Sequence, residues 1–150
     1  MFRGSSTHNL DDKGRIMIPA RFREVINAYG DESIMVTRMD GALFAYALPE
    51  WAKIEARLMS VAETSESMRR FRRAFIGGAF DCALDKQNRI LVPPVLRDYA
   101  ELKPKKEVML VGQLNHFEIW SSERYEKELK QLEADLKKED VAVEVAKLGL

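Results

Sequence analysis

The sequence predicts a mixed α+β protein built from two copies of one βαββα module. The frame D-x-x-x-R, followed by an apolar run and a proline, begins at Asp11 and again at Asp85, which indicates a duplication. Short alternating apolar runs, typical of strands, lie between apolar residues at helical spacing. The later strands of each copy read as hairpins, which favours a small barrel-like or sandwiched sheet over a doubly wound one.

The repeat extends well beyond the D-x-x-x-R frame. The two frames lie 74 positions apart, and residues 2–58 match residues 76–132 without gaps. The sequence therefore predicts a first module at 1–58, a linking helix at 59–75, a second module at 76–132 and a C-terminal helix extension at 133–150. A module of about 70 residues buries only a small core, so we expect the two modules to share an interface.

The elements of each module follow from its apolar runs and prolines. The runs at 15–18 and 89–92 predict short strands, which Pro19 and Pro93 end before a helix begins. Runs at 34–37 with 43–46, and at 108–111 with 117–120, predict antiparallel hairpins. Each module closes with a helix, one begun by Pro49 and the other capped by Ser122. We also expect a short strand before each frame.

Two helices outside these modules carry apolar stripes. In the linking segment Met68, Phe71 and Phe75 form one stripe, and Ser60 with Glu63 resembles a capping box before it. The last helix carries a regular stripe, which predicts that it is ordered and packs on its own chain. This stripe consists of Tyr125, Leu129, Leu132 and Leu136.

Composition excludes several classes of protein. Of the 150 residues, 46% are hydrophobic and 32% charged, as in a soluble globular protein. The sequence has neither a secretory signal nor an apolar run long enough to cross a membrane, so we expect a cytoplasmic location and no membrane partner. The single cysteine, Cys82, excludes an intramolecular disulfide and fits a reducing compartment.

The formal net charge is zero, but the charges are distributed unevenly. Cations predominate in the first 23 residues and in the linking segment, whereas acidic residues collect near the C-terminus. A basic face with a compensating acidic helix can still bind phosphate locally. The zero net charge is therefore no evidence against a nucleic-acid partner.

The turn within each frame is the best-specified piece of chemistry in the sequence. Gly14 and Asn88 occupy equivalent positions, and both residue types tolerate a left-handed backbone. The aspartate that begins each frame can cap the amide groups of the turn and hold the arginine that ends the frame. That arginine suits a phosphate or a guanine edge, but the same pair can equally be a structural bracket. The supporting residues are Asp11, Gly14, Asp85, Asn88 and Arg89.

Five separated segments resemble the bacterial MraZ family, namely 2–4, 9–15, 48–51, 94–97 and 107–113. The resemblance implies a transcriptional regulator with two SpoVT/AbrB-type modules in a swapped-hairpin β-barrel with flanking helices. It also implies ring-shaped homo-oligomers, association with the nucleoid, and binding to short repeated boxes in the promoter of the division and cell-wall gene cluster. Asn88 departs from the glycine of the family signature, which favours a supporting role for the second frame.

The resemblance implies that the first frame faces double-stranded DNA. Arg15 is expected to read a base edge or clamp a phosphate, with Lys13 and Arg21 as phosphate contacts. Arg3 and Arg23 complete the expected DNA-binding set. Arg23 and its equivalent in the second copy, Arg97, each lie beside an acid, Glu24 and Asp98, so a structural ion pair is the competing interpretation of Arg23. The arginines of the linking helix are instead expected to pair with acids of the same or a neighbouring subunit: Arg69, Arg70, Arg72 and Arg73.

Other functions find less support in the sequence. His8 and Cys82 occupy equivalent positions and could meet across a pseudo-two-fold axis, but no other catalytic motif accompanies them. His8, His116 and Cys82 are too few for a metal site. We therefore expect no enzyme, no cofactor, no metal and no small-molecule substrate. The alternatives to DNA binding are RNA binding, which lacks an aromatic platform here, and an antitoxin-like AbrB-fold role, which requires a disordered tail.

Overall fold

The computed structural model describes residues 1–62 and 65–150 of the chain. In the first half the elements are β1 (Ser5–Asn9), β2 (Arg15–Met17), α1 (Ala20–Ala28), β3 (Ser33–Met39), β4 (Ala42–Ala47) and α2 (Leu48–Ser60). Helix α3 (Glu66–Phe75) precedes β5 (Phe80–Ala83), β6 (Arg89–Leu91), α4 (Pro94–Ala100), β7 (Glu107–Gly112), β8 (Phe117–Ser121), α5 (Ser122–Asp135) and α6 (Glu139–Ala146). The order of elements predicted from the sequence is therefore present in both halves.

Six strands form one antiparallel sheet in the order β1-β7-β8-β4-β3-β5. Strand β1 pairs with β7 and β5 pairs with β3, so the first strand of each half lies against the hairpin of the other half. Strands β4 and β8 join the two hairpins in the middle of the sheet. The order is unchanged when the halves are exchanged, which is a pseudo-two-fold arrangement. Neither half completes its sheet alone, and the predicted shared interface is confirmed.

The two remaining strands, β2 and β6, pair only with each other and form a separate antiparallel ribbon. Reciprocal hydrogen bonds extend it, since the Ile18 amide donates to the Asn88 carbonyl and the Val92 amide donates to the Gly14 carbonyl, both at 2.9 Å. The α+β class is therefore confirmed, but the sheet is not a closed barrel. The edge strands β1 and β5 remain open because the three-residue strands of the ribbon form a sheet of their own.

The inner face of the ribbon closes the main hydrophobic core. Ile16 and Ile90 are fully buried in this core, which both halves supply. Close to them three aromatic rings meet, because the Phe2 centroid lies 5.4 Å from Phe22 and 5.1 Å from Phe117. Burying such rings is among the largest favourable contributions to folding. The ribbon is thus anchored on one face and free on the other.

The linking helix α3 packs against the first half through Phe71 and Phe75 of its predicted stripe, whereas the third member, Met68, is 45% exposed. Phe75 is buried and stacks on Trp51 of α2 at 5.4 Å, and Phe71 stacks on Phe75 at 5.2 Å. The capping box predicted before α3 is wrong for its serine, because Ser60 is the last residue of α2 and not the residue that precedes α3. Glu63 lies outside the described residues. The Ser65 hydroxyl caps α3 instead, accepting a hydrogen bond from the Met68 amide at 3.1 Å.

The cap of α5 lies one residue earlier than predicted. The Ser121 hydroxyl accepts a hydrogen bond from the Arg124 amide at 3.3 Å, and Ser122 is already the first helical residue. Ser121 takes this role because its backbone is extended, with φ at −63° and ψ at 140°, as an N-cap requires.

The apolar stripe of α5 does not pack on its own chain, contrary to prediction. Tyr125 packs beside Trp120 at a centroid distance of 6.2 Å, but Leu129 remains 47% exposed and Leu132 45% exposed. Helix α5 contacts β7 and β8, and its stripe residue Tyr125 packs on the small cluster around Trp120, whereas Leu129 and Leu132 join none of the core clusters of the described residues. The helix is formed as predicted, but its packing is not.

Candidate nucleic-acid interface

The carboxylate of Asp11 organises the first turn. Its Oδ1 accepts hydrogen bonds from the amides of Lys13 at 2.9 Å and Arg15 at 2.8 Å. Its Oδ2 accepts a third from Arg15 Nε at 2.6 Å. The Gly14 amide closes the backbone turn by donating to the Asp11 carbonyl at 3.0 Å. One side chain therefore fixes both the turn and the arginine that ends it.

These contacts keep the Asp11 carboxylate charged. The hydrogen bond from the Arg15 amide is the main cause that lowers the pKa of Asp11 to about 2, and partial burial opposes it. The bond from the Arg15 side chain lowers the same pKa further. Because hydrogen bonds to an ionised acceptor are the strong ones, the bracket around Arg15 is charge-assisted at neutral pH.

The second turn repeats this geometry. Asp85 Oδ1 accepts hydrogen bonds from the amides of Gln87 at 2.8 Å and Arg89 at 2.9 Å, and Oδ2 accepts one from Arg89 Nε at 3.0 Å. The bond from the Arg89 amide is again the main cause that lowers the pKa of the Asp85 carboxyl. Asn88 adopts φ +64° and Gly14 adopts φ +86°, so the predicted left-handed conformations are confirmed.

The ribbon places both arginines on one face. Arg15 lies opposite Leu91, and Met17 lies opposite Arg89. Directly opposed residues in an antiparallel pair point to the same side, as do residues two apart along a strand. Since the intervening Ile16 is buried, these four side chains all project from the outer face. We call Arg15, Met17, Arg89 and Leu91 the ribbon face.

The two turns are linked by charge across the ribbon. Arg89 Nη1 lies 3.8 Å from Asp11 Oδ2, the same oxygen that binds Arg15. Two arginines from frames far apart in sequence therefore converge on one carboxylate. The sequence pattern identified both arginines but gave no sign of this convergence, since it depends on the pairing of β2 with β6.

A third arginine, from the second half, lies beneath the first turn. Arg97 Nε donates to the Val92 carbonyl at 2.9 Å. A Cβ atom added at Gly14 would lie 2.5 Å from Arg97 Cζ, so the guanidinium occupies the space that glycine leaves open. Gly14 is thus required for the close approach of Arg97 as well as for its backbone conformation.

The expected ion pair between Arg97 and the adjacent acid, Asp98, is not formed among the described residues, and the same holds for Arg23 with Glu24. Consecutive residues on a helix do not face each other, which explains both absences. Arg97 is structural through a backbone carbonyl instead. The side chain of Arg23 is half-buried and makes no hydrogen bond within residues 1–62 and 65–150.

The other cations of the expected DNA-binding set, Lys13, Arg3 and Arg21, are not part of the ribbon face. Lys13 is exposed on the first turn. Arg3 and Arg21 are both exposed and lie together, because Arg21 Nε donates to the Arg3 carbonyl at 3.3 Å. Burial is the main cause that lowers the pKa of the nearby His8, and the charge of Arg21 adds to it. No ion pair or hydrogen bond between described residues joins the Arg3–Arg21 pair to the ribbon face.

The catalytic and metal alternatives gain nothing from the geometry. His8 lies on β1 and Cys82 on β5, the two edge strands of the sheet, and each has another partner: His8 Nε2 lies 2.8 Å from Ser6 Oγ, and Cys82 Sγ donates to the Phe80 carbonyl at 3.7 Å. Burial raises the pKa of the Cys82 thiol to about 11. In the part of the chain that is described, no three His, Cys, Asp or Glu side chains form a metal-binding group.

One arginine of the linking helix α3 has an acidic partner in the same subunit, as expected. Arg70 Nη2 lies 3.1 Å from Glu66 Oε2.

Within the described residues no helix is both long and apolar enough to span a membrane.

A family model and several curated proteins match this chain, and both kinds of match point to the same family. A family model described as "MraZ protein, putative antitoxin-like" matches residues 1–74 and again residues 75–144. A protein of Desulforapulum autotrophicum named "Transcriptional regulator MraZ" is 51% identical over 150 residues and covers all of both chains. Proteins of the same name from Desulfosudis oleivorans and Halothermothrix orenii are 49% and 43% identical, also over the full length of both chains.

Likeness to a solved structure is weaker. A solution structure of a protein from Pyrococcus horikoshii matches with a TM-score of 0.35 and 18% identity, covering 78% of this chain and 95% of that one. Such a likeness is too distant to define the fold.

Proposed function

The chain belongs to the MraZ family, whose members are named as transcriptional regulators, and on that premise we propose that it regulates transcription by binding double-stranded DNA in a sequence-specific manner. The observation that carries the proposal is the ribbon face, where Arg15 and Arg89 are each held by an ionised aspartate. The names of the relatives favour a regulator over an enzyme.

The way Arg15 is held suits base recognition. Arginine carries five N–H donors in a planar fork, and Asp11 uses only the Nε donor. No hydrogen bond to a described residue uses the two Nη groups, which remain free for the O6 and N7 acceptors of guanine or for a phosphate. A guanidinium that is already oriented loses less entropy on binding. We therefore assign Arg15 the principal contact.

The remaining cations of the set would hold the phosphate backbone. Lys13 lies on the same turn as Arg15, and the Arg3–Arg21 pair adds a second cationic point on the surface. Phosphate contacts position a protein on DNA without specifying sequence. Arg23 is the weakest member of the set because it is half-buried.

We extend the proposal to the assembly. The two halves would be SpoVT/AbrB-type modules with swapped hairpins, at 1–58 and 76–132, with a linking helix at 59–75 and a C-terminal helix extension at 133–150. The exchange of β1 and β5 between halves supports this architecture.

Ring-shaped homo-oligomers would engage short repeated boxes in the promoter of the division and cell-wall gene cluster, gaining affinity through effective concentration. The exposed leucines of α5 support subunit contact. The protein would associate with the nucleoid in the cytoplasm.

A footprint of the purified chain on the DNA upstream of its own gene tests the proposal. We expect protection that recurs at regular spacing, because each subunit of a ring would occupy one box. Absence of protection on this DNA, combined with protection of a transcript from the same region, would favour the RNA-binding alternative.

The salt dependence of binding provides a quantitative test of phosphate contact. The logarithm of the affinity should fall linearly with the logarithm of salt concentration, and Lys13→Ala should reduce the slope by about 1 for each subunit that contacts the DNA. Lys53→Ala is the matched control, since Lys53 is paired with Glu50 at 2.8 Å on α2. A wild-type affinity that does not change with salt would contradict the proposal.

A further inference from the structure

The ribbon face contains two exposed apolar side chains that the arginine contacts leave unexplained. Met17 is 44% exposed and Leu91 is 56% exposed, whereas Ile16 and Ile90 beside them are fully buried. Met17 and Leu91 are equivalent under the duplication. Single apolar residues on a surface are ordinary, but here a large apolar side chain occurs at the same exposed position in both halves.

These two side chains alternate with the arginines. Leu91 lies directly opposite Arg15, and Met17 lies directly opposite Arg89. Opposed Cβ atoms in an antiparallel pair are about 5 Å apart, and residues two apart along a strand are about 7 Å apart. Each arginine is therefore flanked by an apolar group both along and across the ribbon. The four side chains form one compact, pseudo-symmetric patch.

The major groove of DNA presents a matching pattern. It admits a two-stranded ribbon, and its floor carries the acceptor edge of guanine and the C5 methyl group of thymine. Resting on the proposed function, we propose that Met17 and Leu91 contact thymine methyl groups while Arg15 and Arg89 contact guanine or phosphate. Met17 and Leu91 are thus specificity-determining residues.

Donors and charge at this patch favour DNA over a protein partner. Asp11 and Asp85 each occupy the Nε donor of one arginine, and the Nη groups of Arg15 are not used by a described residue. Lys13, on the same turn as Arg15, is exposed and forms no ion pair with a described residue, so the patch combines free N–H donors, one cation and two apolar groups, which suits a polyanion with methyl groups on its floor. RNA is a poorer match, because uracil lacks the methyl group and the RNA major groove is too narrow for side chains to read.

The experiment compares two duplexes that differ only in this methyl group. The DNA upstream of the gene is amplified once with dTTP and once with dUTP, and the affinity of the full chain for each duplex is measured. Removing one buried methyl weakens binding about fourfold. Because two methyl contacts are proposed, we expect the wild-type chain to bind the uracil duplex about 15-fold more weakly, and Met17→Ala combined with Leu91→Ala to bind both duplexes equally.

Met59→Ala is the matched control, because Met59 is 79% exposed on α2, away from the ribbon. It should retain the full preference for the thymine duplex. Met17→Gln keeps the side-chain length and removes its apolar end, so it should lose only the share of the preference that Met17 supplies, leaving about fourfold from Leu91, with an unchanged melting temperature.

Three outcomes would overturn the inference or its premise. Equal wild-type affinity for the two duplexes would show that no methyl group is read. An undiminished preference in the double variant would assign the methyl contacts to other residues. Failure of the wild-type chain to bind even the thymine duplex would instead reject the proposed function itself.

Discussion

The two D-x-x-x-R turns have the same hydrogen bonds but different surroundings. Each aspartate binds two amides and one arginine Nε, with closely similar distances. At the left-handed position, however, the first turn has Gly14 packed against Arg97, whereas the second has Asn88. The requirement for glycine at the first turn therefore comes from a neighbour as well as from the backbone angle. Equivalent turns need not tolerate the same residues.

The turns also differ in how their charges are shared. Asp11 Oδ2 lies 2.6 Å from Arg15 and 3.8 Å from Arg89, whereas Asp85 binds only Arg89 among the described cations, at 3.0 Å. Arg89 is consequently drawn toward both carboxylates, and Arg15 toward one. An arginine shared between two acids has less of its charge free for an external phosphate. This difference favours Arg15 as the principal DNA contact.

The largest expected effect concerns the two arginines. Arg15→Ala should lower the affinity for promoter DNA about 100-fold, and Arg89→Ala about tenfold, because a good bidentate contact contributes about 1–3 kcal/mol. Equilibrium binding to the upstream DNA measures both. The oligomer size and melting temperature should remain unchanged, since partly exposed ion pairs contribute little to stability.

Two results would change this comparison. Equal losses for the two variants would make the frames equivalent in DNA binding. A loss of assembly in Arg15→Ala would instead identify Arg15 as a structural bracket.

The next effect concerns the left-handed positions. Gly14→Ala should destabilise the chain by about 2–3 kcal/mol, since it combines the cost of a left-handed alanine with displacement of Arg97 from its hydrogen bond. Asn88→Ala should cost only about 1 kcal/mol. Urea unfolding gives both free energies. When Gly14→Ala is made in a chain that already carries Arg97→Ala, its further loss of unfolding free energy should fall toward that of Asn88→Ala. If that loss is the same with and without Arg97, displacement of Arg97 is not its cause.

The smallest effect is the response of the two carboxylates to acid. The pKa of Asp11 is lowered from 3.8 to about 2, so its contribution to stability is complete above pH 3.8 and is lost as the pH falls through about 2. Asp11→Asn should therefore lose less stability than the wild type between these pH values. The pKa of Asp85 is lowered in the same direction, so Asp85→Asn should behave alike. The urea midpoints of the wild type and both variants, measured across this pH range, test the prediction. If the midpoint falls equally steeply with pH in all three proteins, the prediction is wrong.

Much of the local structure was predictable because it depends on neighbours in sequence. The strand after each frame, the proline that ends it and the left-handed residue all follow from short patterns. The aspartate cap is equally local, since it spans only four residues. Both arginines could therefore be identified as held residues before any tertiary contact was known.

The errors in prediction occurred where packing decides the outcome. The stripe from Leu129 to Leu136 has the spacing of a packed helix, but periodicity does not tell which surface covers it, and here these residues stay exposed. The β-barrel that the family resemblance implied is not closed, because sheet closure depends on which edges pair. The helix cap at Ser122 was displaced by one residue, since neighbouring serines look alike and only the backbone angles distinguish them.

The sequence by itself determined the duplicated module, the two turns and the aspartates that hold Arg15 and Arg89, because hydrogen bonds between residues four apart need no distant partner. Only the tertiary structure decided that β2 pairs with β6, and this pairing places the two arginines with Met17 and Leu91 on one surface. It also decided that Arg97 fills the space beside Gly14. These contacts join residues that are far apart in the chain, and the burial of a shared core by both halves brings them together.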